Sequence, residues 1–507
     1  MPLTTRRHLL ALLAAAPVVA AGACSPGTES SEKGSPGSGT GGRLQVGAIS
    51  AGGEAVTDPH GSLFSESDWV RAAAIYDPLI GIDEDGELAP GIATDWTPEK
   101  GTTQWRLRLR EDAKFSDGSA VTSADVMYSL GRIADKADEN GGRLGTVDID
   151  RSSAPDAHTV LLRTSVADAE LPRTLGGTSF IVPKGAKDFD KAIGSGPFTL
   201  VSTNSQGALL RRHDGWWGDV TLDELLVRPF SDPSAMTRAI TSGAIDVALG
   251  VEPTAAKSVQ GRDDLQVVRR RGESTTPLLM RLDEAPFDDE DVREAFRLAI
   301  DRKALVSSVY LGFGEVGADL PQPNDPSAPK LTAPARDVER AKKLLARAGH
   351  GNGLDVELHT TTAYASMPST AKLVARQLRD VGVRVEVVSH QPQTYWTKTY
   401  GQVPFSVGYY SQMPYPVWVR QTALSTSAFN ETGWEDKEFD KDFATAMATT
   451  DEGRRHALLA KMQERMAQEG GIIAWGHGDG LTIAAKSVRR LPTASGLARL
   501  RFTSVTT

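Results

Sequence analysis

Residues 354–389 carry the pattern that most limits the fold of this chain. The stretch "LDVELHT" has the composition of a strand, "PSTAKLVARQLRDVG" has the apolar spacing of an amphipathic helix, and "VRVEVVS" is again strand-like. A strand–helix–strand order places the two strands parallel in one sheet, joined by a right-handed crossover. We therefore predict an α/β fold.

Two further segments predict helices. "VTSADVMYSLGRI" follows a turn, and Thr122 with Asp125 three residues later has the spacing of a capping box. "EDVREAFRLAIDRKALVSSVYLGFG" predicts a single helix from about Asp291 to near Leu311, with Gly312 as its stop signal.

The N-terminus predicts export. Arg6 and Arg7 precede an apolar stretch from Leu9 to Ala23, which is too short for a membrane span of roughly 20 residues. "TTRRHLL" is similar to a twin-arginine signal, and an ordinary secretory signal is the alternative. Residues 1–23 are therefore predicted to be a signal peptide.

Cys24 is predicted to be a lipidation site. It follows the apolar stretch in "AGAC", and it is the only cysteine in the 507 residues, which excludes a disulfide within the chain and a cysteine-ligated metal site. A cysteine that merely lies near a cleavage site is the alternative. Residues 24–42, rich in Gly, Ser and Pro, are predicted to be a flexible linker.

The chain as a whole has the composition of a soluble globular protein, with 40% hydrophobic and 24% charged residues. A net charge of -9 argues against nucleic acid as a partner. Neither Gly-x-Ser-x-Gly nor His-Glu-x-x-His nor a phosphate-binding loop occurs, and "GFGEVG" at 312–317 follows a helix instead of a strand. We expect neither an enzyme nor a bound cofactor or metal.

One late segment is unusual in its charge. From Ser406 to Asn430 there is no Asp or Glu, although the chain is acidic overall. "GYYSQMPYPVW" within it is rich in aromatic residues, and its two prolines argue against a regular helix. Such a surface suits aromatic and amide contacts with a neutral ligand better than contacts with an ammonium group.

Several segments, in order, resemble one known family. They are "VTDPHG", "AAIYDPLIGIDEDGELAPGIATDW", "WRLRLREDAKFSDGSAVTSADVMYSL", "IGSGPFTLVS", "RRHDGWWG", "PFDDEDVREAFRLAIDRKALV" and "DVERAKKLLARAG". With these, the chain resembles the extracytoplasmic solute-binding proteins of family 5 of ABC transporters, the oligopeptide, dipeptide and nickel-binding group. The resemblance covers nearly all of the body.

The resemblance implies a periplasmic-binding-protein-like fold of the large three-domain type (cluster C), with two lobes and a hinge. It implies crossovers between the lobes at 274–283 and 472–481. The domain boundaries it implies are domain I at 43–57, 177–273 and 482–507, domain II at 58–176, and domain III at 274–481.

The resemblance also implies a ligand site. In the family, the wall that corresponds to the acid-free segment carries an Asp for the α-ammonium of a peptide, and Gln412 or Tyr415 stands there in this chain. The predicted ligand-binding residues are Leu63, Phe64, Ser65, Tyr364, Tyr409, Tyr410, Gln412, Tyr415 and Trp418.

The function implied is a monomeric, lipid-anchored binding protein on the outer face of the cell membrane. It would capture a peptide or peptide-like solute by cleft closure and deliver it to an ABC permease and its ATPase. A non-peptide ligand (an oligosaccharide, a metal chelate, or a modified or cyclic compound) and ligand sensing on the same fold remain as alternatives. A secreted hydrolase is the disfavoured alternative, because no motif supports one.

Overall fold

The predicted strand–helix–strand unit is present. Strands Leu354–Thr361 and Val383–His390 pair in parallel, and helix Ser366–Arg379 connects them. Met367, Ala371, Val374 and Leu378 of this helix are buried against the sheet, at the spacing of one helical face. The α/β class is confirmed.

The computed structural model describes residues 41–50, 56–61, 63, 65–137, 143–204, 206–427 and 429–507. The predicted signal peptide, Cys24 and nearly all of the predicted linker lie outside these residues. Within the described ranges, no helix has both the length and the apolar character needed to cross a membrane.

The strands, in chain order, are β1 (Arg43–Ile49), β2 (Ile80–Ile82), β3 (Leu88–Pro90), β4 (Ala93–Glu99), β5 (Gln104–Leu109), β6 (Val147–Asp156), β7 (Thr159–Thr164), β8 (Phe198–Asn204), β9 (Gly207–Arg212), β10 (Glu224–Phe230), β11 (Val247–Ala248), β12 (Leu265–Thr275), β13 (Leu278–Met280), β14 (Gly314–Val316), β15 (Leu354–Thr361), β16 (Val383–His390), β17 (Phe405–Val407), β18 (Tyr410–Ser411), β19 (Ile472–Ile473) and β20 (Gly476–Ala485). The helices are α1 (Glu66–Ile75), α2 (Ser123–Asp135), α3 (Leu171–Leu175), α4 (Pro233–Thr241), α5 (Pro253–Ser258), α6 (Glu290–Ala299), α7 (Arg302–Val309), α8 (Val338–Arg347), α9 (Ser366–Arg379), α10 (Pro392–Thr394), α11 (Tyr415–Thr422), α12 (Lys437–Ala448) and α13 (Glu452–Glu469). A π-helical turn, Tyr395–Thr399, follows α10, and a 3-10 turn spans Gly496–Leu500.

The strands form four sheets. The largest has the order β18-β12-β20-β11-β1-β10-β9-β8, with β14 also paired to β20. A five-stranded sheet has the order β16-β15-β17-β13-β19, and a four-stranded antiparallel sheet has the order β4-β5-β7-β6. The small hairpin β2-β3 turns at Asp85-Gly86, a dipeptide typical of tight turns.

Strands β12 and β20 form a long antiparallel ribbon that reaches from the nine-stranded sheet to the five-stranded one. Its register runs from Leu265 opposite Ala485 to Thr275 opposite His477, with a shift between Arg270 and Ser274. Beyond this ribbon, β12 continues into β13, and β19 leads into β20. The shift lies where Gly272 has a φ of +63°, a value that side chains other than glycine rarely adopt.

Separate hydrophobic cores lie under these sheets. One packs α6, α7, α8 and α9 against the five-stranded sheet, and a second packs α1 against β1, β8, β9 and β10. A third packs α2 and α3 against the four-stranded sheet, and a fourth joins α11, α12 and α13. The first and fourth cores lie within predicted domain III, whereas the second combines α1, from predicted domain II, with strands of predicted domain I.

One of the two predicted helices begins as expected, and the other is divided in two. In α2, the backbone N and the hydroxyl of Thr122 both donate to Asp125 Oδ2, as the capping box predicts. The single helix predicted from Asp291 to Leu311 is wrong, because the chain breaks at Ile300 and Asp301 into α6 and α7. Asp301 accepts a hydrogen bond from Ala304 N and so caps the second helix, which the apolar spacing alone did not reveal.

The expectation that the acid-free segment forms no regular helix is also wrong. Helix α11 begins at Tyr415, with Pro414 as its N-cap and Pro416 in its first turn. Proline is tolerated there because the N–H groups of the first turn have no partner within the helix.

Candidate functional site: an internal cavity walled by the acid-free segment

A cavity of about 900 Å³ lies among segments from all three predicted domains. The predicted first domain contributes residues 493–497, and the second contributes Trp69 and residues within 82–88, 143–146 and 173–176. Residues 324–326 and 412–421 complete the wall from the third domain. Pockets of 300–1,000 Å³ are typical of small-molecule sites, so this volume suits a small solute.

The acid-free segment forms one wall of this cavity through residues 412–414, which precede α11, and through one face of that helix. Its cavity-lining residues are Gln412, Met413, Pro414, Val417, Arg420 and Gln421. The spacing of Pro414, Val417 and Gln421 is that of one helical face. The opposite face is buried in the core.

Two of the predicted aromatic ligands lie on that buried face. Tyr415 and Trp418 have 0% and 1% of their surface exposed, and their rings stack with centroids 5.9 Å apart. Their neighbours are Phe439, Met462 and other residues of the core that joins α11, α12 and α13. Both side chains therefore fix the helix in the core and are not among the residues that line this cavity, and their role in ligand binding stays a prediction.

Tyr410, a further predicted ligand residue, is also buried and is not among the residues that line the cavity. It is 5% exposed, and its hydroxyl donates to a carboxylate oxygen of Glu431, which is itself buried. Burial raises the pKa of Glu431 to about 7, although hydrogen bonds from Tyr410 and Tyr400 oppose this shift. Tyr410 thus anchors the strand that leads into the cavity wall.

Leu63 and Ser65, two of the predicted contacts after "DPHG", are not among the residues that line the cavity. Leu63 is 7% exposed and belongs to the core beneath the nine-stranded sheet. Ser65 is the N-cap of α1 and accepts a hydrogen bond from Asp68 N, so its role there is structural. Phe64 lies outside the described residues. Trp69, one helical turn after Ser65, lines the cavity.

Tyr364 and Tyr409 lie close together, as a shared site requires, but the residues that line the cavity do not include them. Tyr364 is 43% exposed, and Tyr409 is half-buried beneath it. The pair joins the loop after β15 to the segment after β17.

Gln412 is the predicted residue that the structure does place on the cavity wall. Its backbone N donates to Glu273 O at 3.0 Å. The side chain of Gln322 binds the two chain neighbours of Gln412: its Oε1 accepts from Met413 N at 2.9 Å, and its Nε2 donates to Ser411 O at 3.3 Å. Gln412 therefore presents a neutral amide at a fixed point, and its role in ligand binding stays a prediction.

The loop that contains Gln322 also positions α11. Asp325 Oδ2 accepts from Tyr415 N at 2.7 Å, and Asp325 Oδ1 accepts from Ser327 N. The first helical N–H thus has a carboxylate partner, which favours the positive end of the helix dipole. Sequence analysis did not select this loop, since its partners are about ninety positions away.

Arginines contribute more to the cavity than aromatic residues do. Those that line it are Arg143, Arg173, Arg269, Arg271 and Arg420, and the acids that line it are Asp85, Glu87 and Asp325. Arg269 donates to Asp479 and Arg271 to Glu315, while Arg173 donates to Glu87. Sequence analysis missed these residues, because isolated arginines carry no motif.

Arg143 has a distinct environment. Its guanidinium donates to the backbone oxygens of Pro59 and Gly61 and lies 4.9 Å from the ring centroid of Trp69. Burial lowers the pKa of Arg143 to about 10, and the nearby carboxylate of Asp58 opposes part of this shift. Arg143 remains a cation at neutral pH.

The strip Asp168–Glu170, at the start of α3, meets α11, α12 and α13 beside the cavity. Arg420 Nη2 lies 2.7 Å from Asp168 Oδ1, and Arg455 pairs with Glu170. Ala169 N and the Thr102 hydroxyl both donate to Met447 O, at 2.9 and 2.8 Å. The predicted second and third domains are thus in contact through charged and backbone groups.

The profile of the bacterial extracellular solute-binding proteins, family 5, matches residues 87–431, which is more than half of the 507 residues. The chain belongs to this family. The resemblance found in the sequence is thereby confirmed, and the family 5 protein acts outside the cytoplasm as a solute-binding component of an ABC importer.

Relatives and solved structures agree with this assignment. The glutathione-binding protein GsiB of Pectobacterium atrosepticum is 25% identical over 436 residues, covering 81% of this chain and 84% of that protein. The crystal structure of NikA from Brucella suis in complex with Fe(III)-EDTA aligns with a TM-score of 0.80 at 20% identity, covering 92% of this chain and 99% of NikA. DppA from Helicobacter pylori in complex with the peptide STSA gives 0.74 at 20% identity, with 92% and 98% coverage.

These likenesses confirm the fold of the family 5 protein as that of periplasmic binding proteins.

Proposed function

We propose that the family 5 protein captures a peptide or peptide-like small solute in the cavity of about 900 Å³ and delivers it to a membrane permease. The observation that carries this proposal is that residues of all three predicted domains enclose one cavity. A relative named as a glutathione-binding protein and a fold neighbour crystallised with a peptide support the ligand class.

The mechanism we propose is closure of the predicted lobes on the solute. A solute that contacts the first, second and third predicted domains together interacts best when these walls are close, so it favours the closed form by the difference in its affinities. A shift from 1:99 to 99:1 requires about 5.5 kcal/mol of such difference. The permease would then distinguish the closed, loaded form from the open one.

The character of the wall restricts the solute. Where peptide binders of the family are expected to have an acid, Gln412 offers a neutral amide, and no Asp or Glu occurs from Ser406 to Asn430. An ammonium group placed here would lose hydration without gaining an opposite charge. The preferred solute therefore has a blocked, modified or absent α-amine at this wall.

Export and anchoring complete the proposal. Arg6 and Arg7 with the apolar stretch that follows support export, through the twin-arginine route in preference to the general one. Cys24 would carry the lipid that holds the protein at the outer face of the membrane. Metabolic labelling with a palmitate analogue should mark the wild-type protein and leave Cys24→Ser unmarked; label on both would overturn the anchor.

The family 5 protein is proposed to act without covalent chemistry and as a monomer. Binding alone provides what the permease needs, since the solute leaves unchanged.

The decisive experiment is native mass spectrometry of the purified full chain, followed by calorimetry with each solute that co-purifies. We expect a 1:1 complex with a small peptide or peptide-like compound, and a smaller radius of gyration in X-ray scattering when it is bound. Release of a chemically altered solute, or unchanged scattering with every bound compound, would overturn the proposal.

A further inference from the structure

One corner of the cavity is lined by aliphatic side chains from two predicted domains. Ile82 and Leu88, on the hairpin β2-β3, line it together with Gly176 and with Leu497 of the 3-10 turn. A Cβ added to Gly176 would lie 3.1 Å from Leu88 Cδ2 and 3.4 Å from Ile82 Cδ1. A Cβ added to Gly177 would lie 3.1 Å from Leu497 Cδ1 and 3.3 Å from Ile82 Cδ1. The three aliphatic side chains therefore converge on this pair of glycines, and together they form what we call the aliphatic corner.

Backbone contacts fix the aliphatic corner in place. Its two hairpin residues are direct cross-strand partners, so their side chains lie on the same face of the hairpin. Gly177 N donates to Ile80 O at 2.9 Å, which ties the glycine turn to the first strand of the hairpin. The tip of the hairpin reaches the C-terminal segment, because a Cβ on Gly86 would lie 3.7 Å from Ala494 Cβ. A preformed surface of this kind binds a solute group at a low cost in conformational entropy.

The aliphatic side chains of the corner are only partly covered by the protein. Leu88 packs against the core beneath the four-stranded sheet, and Leu497 packs against the core that contains α1. Both leucines and Ile82 remain partly exposed, and all three line the cavity. Removing apolar surface from water is favourable, so a solute group that covers these side chains gains affinity from them.

Polar groups beside the corner are engaged with one another. Arg173 Nη2 lies 3.3 Å from Glu87 Oε2. Gly176 N donates to Arg173 O, and Gly496 O accepts from Arg499 Nη1 at 2.7 Å. A polar solute group placed here would give up its hydration for partners that already have a hydrogen bond, which is unfavourable. The corner therefore suits an apolar group.

We propose that the aliphatic corner binds an apolar side chain of the solute, such as that of leucine or phenylalanine, and thereby sets the specificity of the cavity. This inference rests on the proposed function and narrows it to solutes that carry one bulky apolar group. The competing occupant is the protein itself, since Met413 and Val417 line the cavity from the third predicted domain. A contact with those residues on closure would favour every solute equally, whereas a solute subsite depends on the solute's side chain.

The first measurement is calorimetric binding of N-acetylated alanine tripeptide amides in which one position at a time carries alanine, serine, leucine or phenylalanine. At one of the three positions, leucine or phenylalanine should bind wild type at least about tenfold more tightly than alanine, because more methyl and methylene groups are buried. Leu88→Ala and Leu497→Ala should each reduce this ratio about threefold or more and leave the alanine peptide nearly unchanged. Leu200→Ala is the matched control, because Leu200 is a partly buried leucine on the same core as Leu497 and is not among the residues that line the cavity.

Gly176→Ala tests the fit of the corner without removing an aliphatic side chain. Gly176 has a φ of -58°, which alanine adopts without strain, and the added methyl would contact Leu88 and Ile82. This variant should weaken binding of the leucine and phenylalanine peptides and spare the alanine peptide. Equal affinity of these peptides for wild type at all three positions overturns the assignment, and so does an equal loss for every peptide in the variants.

The second measurement does not depend on a peptide. Isobutanol and, as a control, methanol are titrated into the full chain labelled with 13C at its isoleucine and leucine methyl groups. The NMR signals of Ile82, Leu88 and Leu497, assigned by substitution, should shift saturably with isobutanol and stay unchanged with methanol. The signals of Leu200 should respond to neither alcohol. Failure of isobutanol to shift the corner signals overturns the assignment.

The two proposals fail differently. A co-purifying solute that lacks a bulky apolar group and closes the cleft would leave the proposed function standing and overturn the role of the aliphatic corner. Absence of any bound solute or peptide in wild type would instead overturn the proposed function, while the isobutanol titration still decides whether the corner binds an apolar group.

Discussion

The ring of Tyr364 lies flat on the ring of Tyr409, with centroids 3.6 Å apart and planes 5° from parallel. Neither ring is among the residues that line the cavity. The contact joins the loop after β15 to the segment that leads into the cavity wall. Tyr364→Ala and Tyr409→Ala should each lower stability, with a coupling of about 0.5–1.5 kcal/mol in a double-mutant cycle. Chemical denaturation measures this coupling.

Solute affinity should change by no more than a few-fold in either variant. Phe429→Ala, which removes a ring that is 71% exposed, is the control for loss of an aromatic side chain. A large loss of solute affinity with unchanged stability would contradict this prediction and show that both tyrosines contact the solute.

Glu431 should make stability depend on pH. Its pKa is raised to about 7 in the folded protein, above the usual 4.5, because the carboxyl is buried. Below pH 4.5 the carboxyl is protonated in both the folded and the unfolded state, and its contribution to the unfolding free energy is complete. As the pH rises toward 7, this contribution declines, because the carboxyl ionises in the unfolded state but not in the folded one. Between pH 5 and pH 8, the unfolding free energy of wild type should therefore fall by on the order of 1–3 kcal/mol more than that of Glu431→Gln.

Urea unfolding of wild type and Glu431→Gln at both pH values measures that difference. Parallel pH profiles for the two proteins would show that Glu431 is ionised in the fold.

Two glycines should respond oppositely to a methyl group. A Cβ on Gly480 would lie 1.5 Å from Glu273 Oε2, and that carboxylate is held by Arg270 at 2.7 Å and Arg499 at 3.3 Å. Gly480→Ala must therefore displace a buried ion pair, and we expect a loss of about 2 kcal/mol or more. Gly131→Ala, in the middle of α2 with open space around it, should instead gain roughly 0.5–1 kcal/mol.

Melting temperatures of the two variants provide the comparison. Equal shifts in the same direction would contradict the packing described around Glu273.

Gln412→Asp should change the solute preference. The new carboxylate would supply the opposite charge that the wall lacks, so peptides with a free amine should gain about tenfold or more in affinity over their N-acetylated forms. Calorimetry with matched peptide pairs tests this.

Gln421→Asp places the same charge elsewhere on the wall and is the control. If both variants shift the preference equally, the position of Gln412 is not special.

The parts of the fold that follow from local pattern could be predicted from the sequence. The unit β15–α9–β16 is fixed by apolar periodicity, and the start of α2 by the reciprocal bonds of Thr122 and Asp125. The break between α6 and α7 could not, because Asp301 ends one helical register and caps the next without interrupting the apolar spacing.

The candidate site was predicted in part. The absence of acids pointed to residues 406–430, and Gln412 does lie on the cavity wall. Reading Pro414 and Pro416 as helix breakers hid the periodicity of α11, which would have placed Tyr415 and Trp418 together on the buried face. The contact between Asp168 and Arg420 joins positions far apart in the chain, and no local sequence pattern around either residue predicts it.

The register shift in the ribbon of β12 and β20 has a mechanical consequence. Two hydrogen-bonded strands resist stretching and shear, but the ladder is interrupted between Arg270 and Ser274, where Arg271, Gly272 and Glu273 lie opposite Asp479. Bending stiffness is lowest where cross-strand bonds are missing. A tilt of one end of the molecule against the other would therefore be concentrated in these few peptides, and both sheets could turn as rigid plates without changing their own registers.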